Sequence, residues 1–340
     1  MKKLSYTTNL ITLLLIMSNS TLCQSVHYSQ FFSSPLNLNP AHTGVINGDW
    51  RVVSNSRSQG NYYSDPLNTI SLSYDRVFNI YNSQVGAGLI YSHDYSEGIS
   101  IPTHKTYLSL GNMIQVSEKS FLGIGLQLGW INKSLSYNHL TFLEQYDRSE
   151  GSYNPNLPLS ENFQYLSSNY LDINAGFLWQ HKAERYHIST GIATFHLNQP
   201  QDNFLETQNK TSVRTNWHGS LKYDLNSKVF ILPQSYYTFQ NKTSEFVIGS
   251  NAGLNIESSE HKFKSISLGA YFRNGFINNL ESLIFVTGLN YNNWTTFLSF
   301  DVDVSGLKTN PIFNHAVELS LVYERPSSIL KKTTIPCIRY

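Results

Sequence analysis

The chain has 340 residues and a formal net charge of +1, and only 14% of its residues are charged, against about 25% in ordinary globular chains. No block of Lys or Arg occurs, so the electrostatic footprint of a nucleic-acid binder is missing and no nucleic-acid partner is expected. Tyr (22), Phe (19) and Gly (20) suit strands in an apolar environment, and the length suits a single mid-sized barrel better than one small soluble domain.

Lys2-Lys3, an apolar stretch from Leu10 to Met17, and small and polar residues up to Cys23 follow the order of a secretory signal. Residues 1–23 therefore read as a signal peptide cleaved before Gln24. The rival reading acylates Cys23 as the first mature residue, against which the bulk of Leu22 argues. With Cys23 removed only Cys337 remains, so no intramolecular disulfide framework is expected. Beyond Met17 no stretch approaches the roughly 18 apolar residues of a spanning helix, which leaves strands as the means of crossing a membrane.

Residues 24–49 come next and form a turn-rich clasp. Pro40 fixes its own φ and pushes Asn39 towards an extended backbone, while Gly44 and Gly48 permit conformations closed to other residues. The segment either plugs the periplasmic mouth of a barrel or offers a docking surface to periplasmic partners, and sequence reasoning leaves both open.

From residue 50 to 325 period two dominates. Strands are expected to begin near Trp50, Asn68, Gln84, His104, Phe121, Tyr170, Tyr186, Ser212, Lys228, Glu245, Lys262, Ser282, Trp294 and Ala316, most of them longer than a typical soluble strand. From Leu122 the even positions Leu122, Ile124, Leu126, Leu128 and Trp130 are apolar, and the odd ones are Phe121, Gly123, Gly125, Gln127 and Gly129. From Trp294 an apolar face including Leu298, Phe300 and Val302 opposes one carrying Ser299, Asp301 and Asp303. The pattern predicts an all-β, transmembrane, outer-membrane antiparallel barrel of about fourteen strands. Turns near Ser117, His181, Asn226, Ser258 and Asn292 are short and assigned to the periplasm. The long connections 139–168, 198–210 and 305–313 are assigned to the outside, and both termini, including a tail at 326–340, to the periplasm.

Catalytic and metal readings find little support. The eleven His residues include no His-x-x-x-His pair, and no Gly-x-Ser-x-Gly elbow occurs. His93 and Asp94 read as a polar pair at a strand end, and Asp301 and Asp303 as neighbours on the lumen face. Gly123 and Gly125 lie mid-strand, where small inward residues make room in the barrel. Trp130, Trp179, Trp217 and Trp294 fit an interfacial girdle. No enzyme activity, metal or cofactor is expected.

One stretch is specific: Ser29-Gln30-Phe31-Phe32, Leu38-Asn39-Pro40-Ala41 with Gly44 after it, then Gly48-Asp49-Trp50-Arg51, Asn55 and Arg57. It closely resembles the opening of the PorP/SprF family of Bacteroidetes type IX secretion membrane proteins. Fainter likeness continues through Asp172-Ile173-Asn174-Ala175-Gly176, Tyr271-Phe272-Arg273, Ser299-Phe300-Asp301-Val302 and Glu318-Leu319-Ser320-Leu321. Ser56, where the family usually has Tyr, and Gly60, where a Trp is usual, depart from it. The resemblance implies an outer-membrane barrel that helps secrete or anchor large surface adhesins. Its expected partners are outer-membrane lipid, other type IX secretion components, a secreted adhesin's C-terminal domain and a periplasmic peptidoglycan-associated lipoprotein. A passive porin is the alternative. Gln30, Asn39, Pro40, Ala41, Gly44, Gly48, Asp49, Trp50, Arg51, Asn55 and Arg57 are the candidate docking or plug residues.

Overall fold

Fourteen antiparallel strands close into one barrel in which each strand pairs with its neighbours in sequence and the first pairs with the last. The computed structural model describes residues 28–60, 66–80, 83–96, 101–135, 143–148, 151–154, 157, 166–202, 209–256, 263–275, 280–304 and 315–327. The expected signal segment with Cys23, the expected tail with Cys337 and most of the connections 139–168 and 305–313 lie outside the described residues.

The barrel strands are β1 Gly48–Gly60, β2 Leu67–Ile80, β3 Ser83–Ser96, β4 Thr103–Gln115, β5 Ser120–Leu135, β6 Leu166–Lys182 and β7 Tyr186–Phe195. They continue as β8 Arg214–Asp224, β9 Val229–Gln240, β10 Thr243–Asn255, β11 Phe263–Asn274, β12 Leu280–Tyr291, β13 Trp294–Asp303 and β14 His315–Pro326. The expected starts fall within a few residues of these bounds. The furthest off is β6, which begins at Leu166 instead of near Tyr170 because the end of β5 pairs with it out to Leu135↔Leu166. The β1–β14 seam is paired from Trp50↔Arg325 to Gly60↔His315, with a register shift beside Gly48.

Gly48 and Pro326 lie at one end of the barrel, which we call the termini end; its connections are mostly short, such as Gln115 to Ser120 and Tyr291 to Trp294. At the opposite, loop end lie the long connections, with two small hairpins, Tyr146–Asp147 on Ser152–Tyr153 and Gln201–Asp202 on Asn209–Lys210. A tight turn at this end, Gln240 to Thr243, carries Asn241 at φ 56°, and Asn292 at φ 55° does the same at the termini end. Asn tolerates the left-handed region that such hairpin turns demand.

The outer surface is inverted relative to a soluble protein. Leu108, Leu110, Ile124, Leu126 and Leu268 are each more than half exposed, and the apolar belt they form continues around the barrel. Soluble proteins rarely expose contiguous apolar patches beyond a few hundred Å², so a belt of this extent requires lipid. Aromatic rings gather at both edges. Trp50 and Trp294 pack on Tyr323 near the termini end, with centroids 5.2 and 4.8 Å away, and Trp130 and Trp217 lie towards the loop end. His93 and Asp94 are not a pair: period two sends Asp94 inward to Lys105 at 2.8 Å and stacks His93 on His104 at 4.2 Å on the other face.

Candidate partner site inside the barrel

The lumen-facing positions are polar and small, and the segment before β1 fills part of the space they enclose. Residues 31–42 form three short helical turns, Phe31–Ser33, Pro35–Leu38 and Pro40–His42. Pro35 and Pro40 each stand at the start of a turn, where the missing N–H costs nothing. Asn39, extended at φ −159° and ψ 125° as its following proline requires, caps the third turn by accepting from the Ala41 N–H at 2.9 Å. Gly44 then reverses the chain at φ +78°.

Three sets of contacts fix this segment to the wall. Near the loop end, the Ser29 hydroxyl donates to Asp301 at 2.5 Å and accepts from the guanidinium groups of Arg57 and Arg273. Glu318 accepts from two consecutive backbone N–H groups, Ser29 at 2.8 Å and Gln30 at 3.2 Å. The Gln30 amide donates to the Ser299 hydroxyl and the Glu318 carbonyl. Arg57 pairs with Asp301 and Glu318 at 3.2 and 3.3 Å, and Arg273 pairs with Asp301 at 3.0 Å, all of them buried. Asn55 reaches Ser33 and Ser320 from β1. Beside this polar cluster, Phe31 stacks on Tyr236, and Phe32 stacks on Tyr271 with its edge to Phe297.

In the middle, the Asn39 amide donates to the carbonyls of Phe177 and Ile192. Pro40 to Gly44 lie against a row of glycines joined by strand register, Gly86↔Gly111, Gly111↔Gly125 and Gly125↔Gly176. A Cβ on Gly125 would fall 2.2 Å from the Pro40 carbonyl carbon, and one on Gly176 would fall 1.9 Å from Asn39 Oδ1. The row is therefore a groove cut to backbone depth.

Towards the termini end, Arg51 and Asp75 form a two-pronged pair at 3.0 and 2.8 Å. Asp75 also accepts from the Gly44 N–H at 2.9 Å, and Arg51 donates to the carbonyls of His42 and Val45. Burial holds the His42 imidazole well below its ordinary pKa, and the neighbouring His218 and Arg51 push in the same direction.

These contacts set the chain's direction. Residues 28–30 lie at the loop-end third of the barrel and Gly44 near the termini end, so the segment runs down the lumen before β1 climbs back. Of the two expected arrangements, an open docking surface at the mouth is not where residues 28–44 lie; they fill the lumen, deeper than a seal at the mouth, with Gln30, Asn39 and Ala41 0%, 0% and 1% exposed. A clasp this polar finds its hydrogen-bond partners on the inner wall. The barrel brings together Gln30, Asn39, Pro40, Ala41, Gly44, Arg51, Asn55 and Arg57. Trp50 faces the opposite way, Gly48 sits at the seam, and Asp49 is half-buried beside it. Sequence reasoning did not name Asp75, Arg273, Glu318, Ser320 and His218 as site residues, although the fainter family likeness runs through Arg273, Glu318 and Ser320; alternation marks inward polar positions but does not say what they meet. Asp301 it did place on the lumen face.

Above the segment, at the loop end, lies a cavity of about 690 Å³ whose lining includes Tyr28, Phe31, Tyr107, Tyr236, Lys105 and Arg214.

A closed antiparallel barrel with an apolar outer belt, aromatic edges and a polar lumen is an outer-membrane barrel, and the cell outer membrane is its location. A solved outer-membrane barrel agrees in fold. CymD, a monoaromatic hydrocarbon channel, superposes with a TM-score of 0.50 at 10% identity, covering 86% of this chain and 92% of that one. A Pseudomonas aeruginosa FadL homologue gives 0.46 at 9% identity over 84% and 92%. No curated protein matches in sequence. The chain belongs to the PorP/SprF family of type IX secretion system membrane proteins, whose model matches residues 20–323. It is therefore an outer-membrane barrel associated with other type IX secretion components.

Proposed function

We propose that this barrel helps secrete or anchor large surface adhesins, with its resting lumen closed by its own N-terminal segment. The observation that carries the closed state is the bonded path of residues 29–44 from one end of the lumen towards the other. A segment held across the lumen beside buried ion pairs supports this reading over a passive open pore. Short turns are periplasmic in such barrels, so the end with Gly48 and Pro326 faces the periplasm, where a peptidoglycan-associated lipoprotein would meet it. The loop end then faces outward, where a retained adhesin would be held through its C-terminal domain. This role calls for no catalytic step and no cofactor.

Planar-bilayer recording of the purified barrel tests the closed state, and a steady open pore overturns it. Deleting the gene tests the cargo role: surface adhesin should fall while total outer-membrane barrel content stays constant. Unchanged surface adhesin overturns that role.

A further inference from the structure

The three anchoring sets differ in kind. Pro40 to Gly44 fit a backbone-deep groove, and moving them would open a gap that no side chain fills. Ser29 to Phe32 are held by hydrogen bonds, ion pairs and ring contacts, each of which another peptide of the same chemistry could remake. The wall's demands are specific. Glu318 takes two consecutive backbone N–H groups, and Arg57, Arg273 and Asp301 surround one small hydroxyl. Ser299 and the Glu318 carbonyl take one side-chain amide, while Tyr236 and the Tyr271–Phe297 pair take one ring each. Apolar packing is often at least as stabilising as a buried ion-pair cluster, so a cluster spent on binding Ser29 points to recognition. The cavity reaches Tyr28 and Phe31 from the loop end and gives access.

We infer that the wall around Ser29 to Phe32 is a recognition site for a partner's peptide segment, one presenting a small hydroxyl residue, an amide residue and two aromatics in succession. The chain's own segment occupies it at rest and is exchanged only in its upper half. Tethering gives the resident segment an effective concentration on the order of millimolar, so exchange needs a partner that is held nearby or a weakened resident. The binding is a property of the barrel wall and does not depend on which cargo the barrel serves.

The test uses a fluorescent peptide of residues 28–34 added to the full-length barrel in detergent micelles, with a scrambled peptide as control. Ser29→Ala/Gln30→Ala weakens the resident segment and should raise peptide affinity at least about tenfold over the native protein. In a background lacking Cys23 and Cys337, Ser33→Cys/Ser320→Cys can tie the segment to β14, since the two hydroxyls are 2.8 Å apart. The oxidised form should bind no peptide, and reductant should restore binding to at least the native level. Retention of the heat-modifiable gel mobility of a folded barrel qualifies each variant, and the oxidised-versus-reduced comparison stands if the alanine variant does not fold. No gain in the weakened variant, equal binding of the scrambled peptide, or indifference to the disulfide overturns the inference.

Discussion

Replacing Asp75 with Ala removes three hydrogen bonds at once, two from Arg51 and one from the Gly44 N–H. The Arg51 side chain is 7% exposed, so its charge stays buried without its partner. Breaking a buried pair on one side costs about 3–5 kcal/mol, which includes leaving donors such as the Gly44 N–H unsatisfied. The barrel strands keep their own ladder bonds, so the loss should appear as local opening of the segment and not as unfolding. In hydrogen exchange by mass spectrometry, peptides covering residues 40–47 should exchange roughly a hundred- to several-thousand-fold faster in the variant, while peptides from β12 and β13 stay protected. Arg51→Met/Asp75→Leu removes both charges and should recover much of that loss, because the larger part is the stranded charge. A rise of less than about tenfold in Asp75→Ala would show that the pair does not hold the segment.

Gly125→Val should displace the segment, since its first side-chain carbon alone would fall 2.2 Å from backbone at Pro40; proteolysis of residues 37–44 with barrel mobility intact is the readout. Gly219→Ala should leave both unchanged, because its Cβ meets nothing closer than 3.4 Å. Leu126→Arg, at a position 63% exposed on the lipid side, should cost about 2–4 kcal/mol in guanidinium-controlled insertion into vesicles, and a cost below about 1 kcal/mol would move Leu126 away from the bilayer centre. For pH, the His42 imidazole is held neutral in the folded segment, so an opened segment binds the extra proton. Retention is then full above the ordinary histidine pKa of about 6.5 and falls as pH drops below it, by up to tenfold in opening per pH unit until the folded pKa is reached. Exchange of residues 40–47, corrected for intrinsic rates, should show this slope, and His42→Gln should reduce it.

The barrel was legible in the sequence because period two is a local property. A residue at Leu126 or Asp301 declares its face from its immediate neighbours, and lipid outside with polar groups inside leaves few other ways to fold such a chain. Strand starts followed for the same reason, and β6 strayed because its first residues are fixed by pairing with β5 and not by their own alternation. The clasp motif was visible as a run of Pro, Gly and Asn, and its turns formed where those residues restrict φ. Its destination was not visible. Ser29 meets Glu318 across 289 positions of sequence, and Asn39 meets Ile192 across 153. Such contacts exist only once the barrel closes, so no local signal carries them. The glycines at 86, 111, 125 and 176 look unrelated along the chain and become one groove only through strand register. Sequence alone therefore determined a membrane-spanning barrel of about fourteen strands. Closure of the tertiary structure decided that its opening motif runs down the lumen, and which buried charges receive it, because burial of paired charges is settled by long-range geometry and not by neighbours in the chain.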